Sequence, residues 1–233
     1  MFFENFPPIV KLTTMCFLLY VVFSSRWFLH QFDVDNTFFH GDLTKQVYMQ
    51  LPHGFLHYTS KMVYKLQRSL HGLRLASKQW NAKLTSALLT FCFIQSFVDR
   101  SLFIQHNVSS IKTFLVYLND ILLNDNNISF ITKIKLYLHA QFHIKDLGQL
   151  KFFLDFEVVL STHGLVLNLR KYCLDILSEF SLIGCKPTNT PSIPFMKLNV
   201  EDGVILYDIT IFRRLIGKLI YLTKTYSIIY FVV

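Results

Sequence analysis

Cysteine is scarce and scattered: Cys16, Cys92, Cys173 and Cys185 stand far apart with no CxxC pair. That excludes a disulfide framework and a zinc ribbon, and makes a reducing interior the default compartment. Long apolar runs are missing too. The best stretch, Met15 to Phe23, holds nine residues between Lys11 and Arg26, where a spanning helix needs about 20. No cationic segment follows Met1; Glu4 and two prolines stand there instead, so neither a secretory signal nor a membrane partner is expected. The expectation is an intracellular chain, cytoplasmic or nuclear, and not secreted. Charge is also sparse, at 16% of the 233 residues, whereas 52% are hydrophobic and 24 are Phe. Such a composition excludes a disordered tail, a coiled coil and a low-complexity linker.

Acid is absent from one long stretch. Lys and Arg number 23 against 15 Asp and Glu, a net charge of +8, yet between Asp42 and Asp99 there is no acidic residue at all. That interval holds Lys45, Lys61, Lys65, Arg68, Arg74, Lys78 and Lys83. A block of this kind meets phosphate, because Lys and Arg displace condensed counterions; the plainer reading is a solvated basic face. The histidine pairs carry less. His139 and His143 stand at i and i+4, but with no Glu between them and no Cys nearby they read as a solvated helix face, and His53 and His57 flank a Pro and Gly loop.

Periodicity places elements around the basic block. Gln31–Val34 and Val47–Leu51 read as strands, and Ser77 opens a helix striped by Trp80, Leu84, Leu88 and Phe91. Apolar runs at Thr113–Leu118 and Ile121–Leu123, linked by Asn119 and Asp120, form a hairpin. Helices follow over Phe130–Phe142, through Cys173, Ile176, Leu177 and Phe180, and through Ile209, Phe212, Ile216 and Leu219. Between them Phe152–Val159 and Leu165–Leu169 make a further hairpin, and Thr188–Pro194 is a loop. This pattern predicts an α+β fold of antiparallel hairpins and packed helices, not an alternating parallel sheet.

Two acids stand where chemistry could use them. Asp33 closes an apolar strand and Asp120 sits at the hairpin. Carboxylates on two strand ends beside a phosphate-binding block are what two-metal phosphoryl transfer needs, since hard Mg²⁺ ions take oxygen ligands in fixed positions. The competing reading is a non-enzymatic basic protein that binds nucleic acid through residues 45–83.

Several segments carry a resemblance: QFDVDNTFFHGDL (31–43), VYMQLPHGF (47–55), KLQRSLHGLRLASKQW (65–80), FLVYLNDILL (114–123), KDLGQLKFFLDFEV (145–158), LNLRKYCLDIL (167–177) and RRLIGKLIYLT (213–223). In this order they resemble the reverse transcriptase of copia-type retrotransposons over nearly the whole chain. The resemblance implies a polymerase palm with partial fingers and the start of a thumb. It divides the chain into residues 1–30, a fingers remnant and helix leading into the palm; 31–160, the palm with its primer-holding hairpin; and 161–233, thumb and the beginning of a connection region.

The resemblance also implies roles. Asp33 matches the first metal-binding aspartate of the palm, and Phe38 the aromatic gate that crowds a ribose 2′-OH. Gly72 and Arg74 match the segment under the incoming nucleotide, and Asn119 and Asp120 fall in the family's Tyr-Val-Asp-Asp hairpin. Lys61, Lys65, Arg68, Lys78, Lys83 and Lys151 are the residues expected along the nucleic acid. The implied metal ligands are Asp33 and Asp120 with two Mg²⁺ ions, and the implied partners are an RNA or DNA primer–template and deoxynucleoside triphosphates.

Departures from the family pattern are as informative. Asn119 stands where the first hairpin aspartate belongs, His71 replaces Tyr, Ser77 replaces Pro, Asp35 replaces Lys and Asp155 replaces Gly. The chain opens on a stretch, Phe6–Thr14, that matches the family's interior, so upstream fingers strands and a downstream RNase H region are expected to be absent. Asp to Asn, Gly to Asp and Pro to Ser each need one transition, as cytosine deamination produces. The expectation is a degenerate, inactive copy.

Overall fold

The computed structural model describes residues 10–51, 63–73, 76–107, 110–161, 164–187 and 208–223. The expected loop at Thr188–Pro194, His53, His57, Lys61 and Arg74 lie outside the described residues. The chain divides into two compact units, one of residues 1–151 and 160–165, the other of 152–159 and 166–233.

The first unit begins with helix α1 (Leu12–Ser25) and strand β1 (Phe28–Val34), followed by a 3-10 turn at Thr37–His40. A ribbon of β2 (Asp42–Gln50) and β3 (Val63–Arg68) leads to α2 (Ala76–Leu89). Then come β4 (Ile94–Gln95), β5 (Leu102–Asn107), β6 (Ser110–Tyr117), β7 (Asp120–Asp125), α3 (Ile128–Phe142) and β8 (Ile144–Gln149). Six strands form one antiparallel sheet in the order β4-β5-β6-β7-β1-β8, while among the described residues β2 and β3 pair only with each other.

Strand alternation explains the core. Phe32, Val34, Phe114, Val116, Ile121 and Leu123 pack in one cluster with Trp80, Leu84 and Leu88 of α2 and with Ile131, Ile134, Leu138 and Phe142 of α3. The helix stripes are spaced three and four apart, as burial of one helical face requires. Leu29, Leu115 and Leu122 project the opposite way by the period of two, and they are buried as well. So are Met15, Leu18, Leu19 and Val22, which make a single stripe on α1. Gly41 is a contact point: a Cβ there would meet the Cβ of Gln79 at 3.0 Å and the backbone nitrogen of Trp80 at 3.2 Å, so α2 can approach the turn this closely only over glycine.

The start of α1 is capped from a distance. Lys11 offers no side-chain cap; instead its backbone N–H donates to Oδ2 of Asp99 at 3.1 Å, from the connection between β4 and β5. Burial alone would raise the Asp99 pKa. Hydrogen bonds from Ser101, Thr14 and the backbone of Lys11 outweigh it and hold the carboxyl below the usual carboxylate range. A group with a lowered folded pKa contributes stability above its unfolded value and loses it as pH falls through the folded one. Asp99→Asn should therefore cost about 1–2 kcal/mol near neutrality, the range for a lost helix cap. In thermal melts the gap between variant and wild type should close on acidification.

Later in the chain comes a three-stranded sheet in the order β11-β10-β9, from β9 (Phe152–Phe153), β10 (Phe156–Ser161) and β11 (Gly164–Asn168), followed by α4 (Arg170–Glu179) and α5 (Ile209–Thr223). The single strand expected over Phe152–Val159 is in fact two strands. Leu154 and Asp155 both take the left-handed conformation, at φ 51° and 64°, which turns the chain back so that Phe153 pairs with Phe156. That is the conformation a two-residue hairpin turn demands. Tyr221 of α5 donates its hydroxyl to the Leu154 carbonyl at 2.7 Å, and Glu179 of α4 is paired with Arg214 and Lys218 of α5.

The architecture is the expected α+β type with antiparallel sheets and packed helices. Among the described residues no helix is long and apolar enough to cross a membrane.

Candidate active site

The two carboxylates meet across adjacent strands. Asp33 near the end of β1 and Asp120 at the start of β7 are direct cross-strand partners, so their side chains leave the same face of the sheet. The hairpin that delivers Asp120 turns one residue earlier than its polarity predicts. Tyr117 pairs with Asp120, which leaves Leu118 and Asn119 as the turn. Leu118 takes a left-handed φ of 55°, a conformation that costs a residue with a Cβ about 1–2 kcal/mol. Two contacts hold it there: Trp80 of α2 donates its indole N–H to the Leu118 carbonyl at 3.1 Å, and Val34 donates its backbone N–H to the Asn119 carbonyl at 3.0 Å.

Each carboxylate accepts from an amide. Asn119 donates Nδ2–H to Oδ1 of Asp33 at 2.5 Å, and Gln31, nearly buried on β1, donates Nε2–H to Oδ1 of Asp120 at 3.2 Å. Burial pushes the Asp120 carboxyl above its ordinary pKa; the Gln31 hydrogen bond opposes this and the nearby Asp33 charge adds to it. On its other side Asp33 has Lys145 of β8 as direct partner, and Lys145 is exposed.

The donor set does not suit two cations. Among the described residues no group of three or more His, Cys, Asp or Glu side chains gathers to hold a metal. A pair of hard ions needs shared anionic oxygens. Here two carboxylates face each other, and one of them already accepts an N–H donor.

The other expected site residues are distributed around this core. Phe38, in the 3-10 turn, packs its ring on His71 with centroids 5.2 Å apart. Gly72 takes a φ of +90° in the following turn, with nothing within 4 Å of a hypothetical Cβ, so its backbone conformation and not crowding calls for glycine. Lys65 and Arg68 are exposed on β3, Lys78 and Lys83 on α2, and Lys151 just after β8. Lys83 spends its charge on Asp42 at 3.3 Å, while Lys65, Arg68, Lys78 and Lys151 form no ion pair with another described residue. The ribbon beside them exposes Tyr48 and Met49, with Tyr48 directly opposite Lys65.

Sequence reasoning missed Gln31, Lys145 and the hydrogen-bonding role of Trp80. Trp80 signals itself only as one member of an apolar stripe, and Gln31 and Lys145 only through a register that joins segments far apart in the chain.

Known proteins resemble this chain over most of its length. A family model described as reverse transcriptase (RNA-dependent DNA polymerase) matches residues 1–194. The chain is 37% identical over 223 residues to a retrovirus-related Pol polyprotein from transposon RE1 of Arabidopsis thaliana, covering 95% of this chain and 15% of that protein. It is 35% identical over 223 residues to the corresponding polyprotein from transposon RE2 of the same plant, with the same coverage. To that of transposon TNT 1-94 of Nicotiana tabacum it is 32% identical over 202 residues, 85% of this chain and 15% of that protein. The chain thus spans about 15% of the length of these relatives. No solved structure matches it.

Proposed function

The chain belongs to the reverse transcriptase (RNA-dependent DNA polymerase) family, and from that premise we propose that it is the palm-centred part of a copia-type enzyme that still holds primer–template but no longer joins nucleotides. Residues 31–160 then act as palm, 1–30 lead into it, and 161–233 supply thumb. The observation that carries this reading is the pairing of Asp33 with Asp120 across β1 and β7 while Asn119 donates to Asp33. The shared face of Asp33 and Asp120 supports a palm-like site on this reading, and Asn119 would stand in it without a charge.

In the family Mg²⁺ ions activate the primer 3′ hydroxyl and neutralise the triphosphate. The residues of this chain do not fit such a pair. What the chain's own groups can do is bind and position. Phe38, braced by His71, is the residue to crowd a ribose 2′-OH, and Gly72 and Arg74 belong under the incoming deoxynucleotide. Lys61, Lys65, Arg68, Lys78 and Lys151 offer charge to an RNA or DNA backbone, whereas Lys83 already has Asp42. The work this reading assigns to the chain is intracellular.

Anisotropy of a labelled primer–template duplex tests the binding half. Affinity should fall steeply and linearly on a log–log salt plot, with a slope near −0.9 per phosphate neutralised. The joint variant Lys65→Gln, Arg68→Gln and Lys78→Gln should flatten that slope by roughly 2–3. Affinity independent of salt, or a slope the triple variant leaves unchanged, contradicts the proposed surface.

A further inference from the structure

We infer that the Asn119 amide is a fixed replacement for a cation, so that this palm is complete and stable without divalent metal. The inference deepens the proposed reading of the site and relies on it only for which carboxylates are concerned. Two like charges face each other on neighbouring strands at Asp33 and Asp120, and neutralisation, separation or protonation eases the repulsion within such a pair. In this chain the groups that meet these charges are amide side chains. Asn119 reaches back over the turn to Asp33, at 2.5 Å, and Gln31 reaches Asp120. The amide must present its nitrogen, since its oxygen would face a carboxylate oxygen and repel it. Lys145 adds a positive charge on the far side of Asp33.

The turn itself supports this assignment. Leu118 is held in a left-handed conformation by the Trp80 indole, and Asn119 is tied to Val34 through its carbonyl. The backbone on both sides of the amide is therefore fixed, and the amide stays within reach of Asp33 whether or not an ion is present. A carboxylate at position 119 would instead bring a third negative charge to the same spot, a repulsion that a cation among the three would relieve.

Thermal melts of the full chain in EDTA and in millimolar Mg²⁺ at matched ionic strength test the inference. The wild type should melt at the same temperature in both. Asn119→Asp should melt lower in EDTA by roughly 2–8 °C, the shift that one or two kcal/mol produces in a chain of this size, and should regain the loss in Mg²⁺ but not in matched NaCl. If that variant is unfolded in EDTA, folding on addition of Mg²⁺ is the same expected result. A wild type that gains as much from Mg²⁺ as the variant does, or a variant no less stable than wild type in EDTA, overturns the inference. Should the variant fold in neither condition, Mn²⁺ broadening of wild-type amide resonances decides. None is expected at residues 33 and 119–120, and site-specific broadening there would show a cation displacing the amide. None of these readouts involves nucleic acid, so their failure is separable from failure of the binding proposal.

Discussion

Trp80→Ala should be the most damaging single substitution in the first unit. Its side chain is 2% exposed and stands edge-on to Phe142 with centroids 5.2 Å apart. It also lies 5.9 Å from the His40 ring and donates to the Leu118 carbonyl. Truncation removes an aromatic core and leaves a cavity between α2, α3 and the 3-10 turn, at a cost of about 3–5 kcal/mol. Against a typical total of about 5–15 kcal/mol that is a large share, and it should lower the melting temperature by roughly 6–20 °C. Trp80→Phe separates packing from polarity. It keeps most of the ring and loses the indole N–H, so it should cost about 0.5–1.5 kcal/mol through the hydrogen bond, in addition to any repacking. Urea titrations of the three proteins give the order: wild type most stable, then Phe, then Ala. A Phe variant as unstable as Ala would mean that the tie to the hairpin outweighs the packing around it.

Much of this arrangement is legible in the sequence because local periodicity and a shared pattern speak with one voice there. The stripes of α2 and α3, the hairpin of β6 and β7 and the strand bearing Asp33 follow from apolar spacing alone. The acid-free block is visible by inspection. What periodicity cannot supply is pairing between distant segments. Asp33 and Asn119 lie 86 positions apart, and Gln31 and Asp120 lie 89 apart. Their contacts exist only once β1 enters between β7 and β8.

Local signals mislead in three places for identifiable reasons. Asn119 and Asp120 look like the turn because both are polar turn formers, but register with Tyr117 and Asp33 makes Asp120 a strand residue and forces Leu118 into the bend. β8 escapes notice since it is an edge strand, exposed through Lys145, Asp146 and Leu147, so it lacks the alternation that half-burial imprints. The turn at Leu154 and Asp155 carries no Gly or Asn to announce it.

The second large effect concerns chemistry. Replacing one carboxylate of a two-ion site by an amide removes a full negative charge from the place where charge develops. A loss of about 3–4 kcal/mol of transition-state stabilisation corresponds to about 10²–10³ in rate. Here the amide also donates into Asp33, which works against ion placement as well as affinity. In-line attack is unforgiving of such displacement, about 1 Å costing roughly 100-fold. Single-turnover primer extension on a primer–template duplex, in Mg²⁺ and again in Mn²⁺, measures this directly, with Asp33→Asn combined with Asp120→Asn as the reference for zero activity. Wild type and the double variant should extend primers at the same background rate while both bind duplex. Extension by wild type that is well above background and abolished in the double variant would contradict the account.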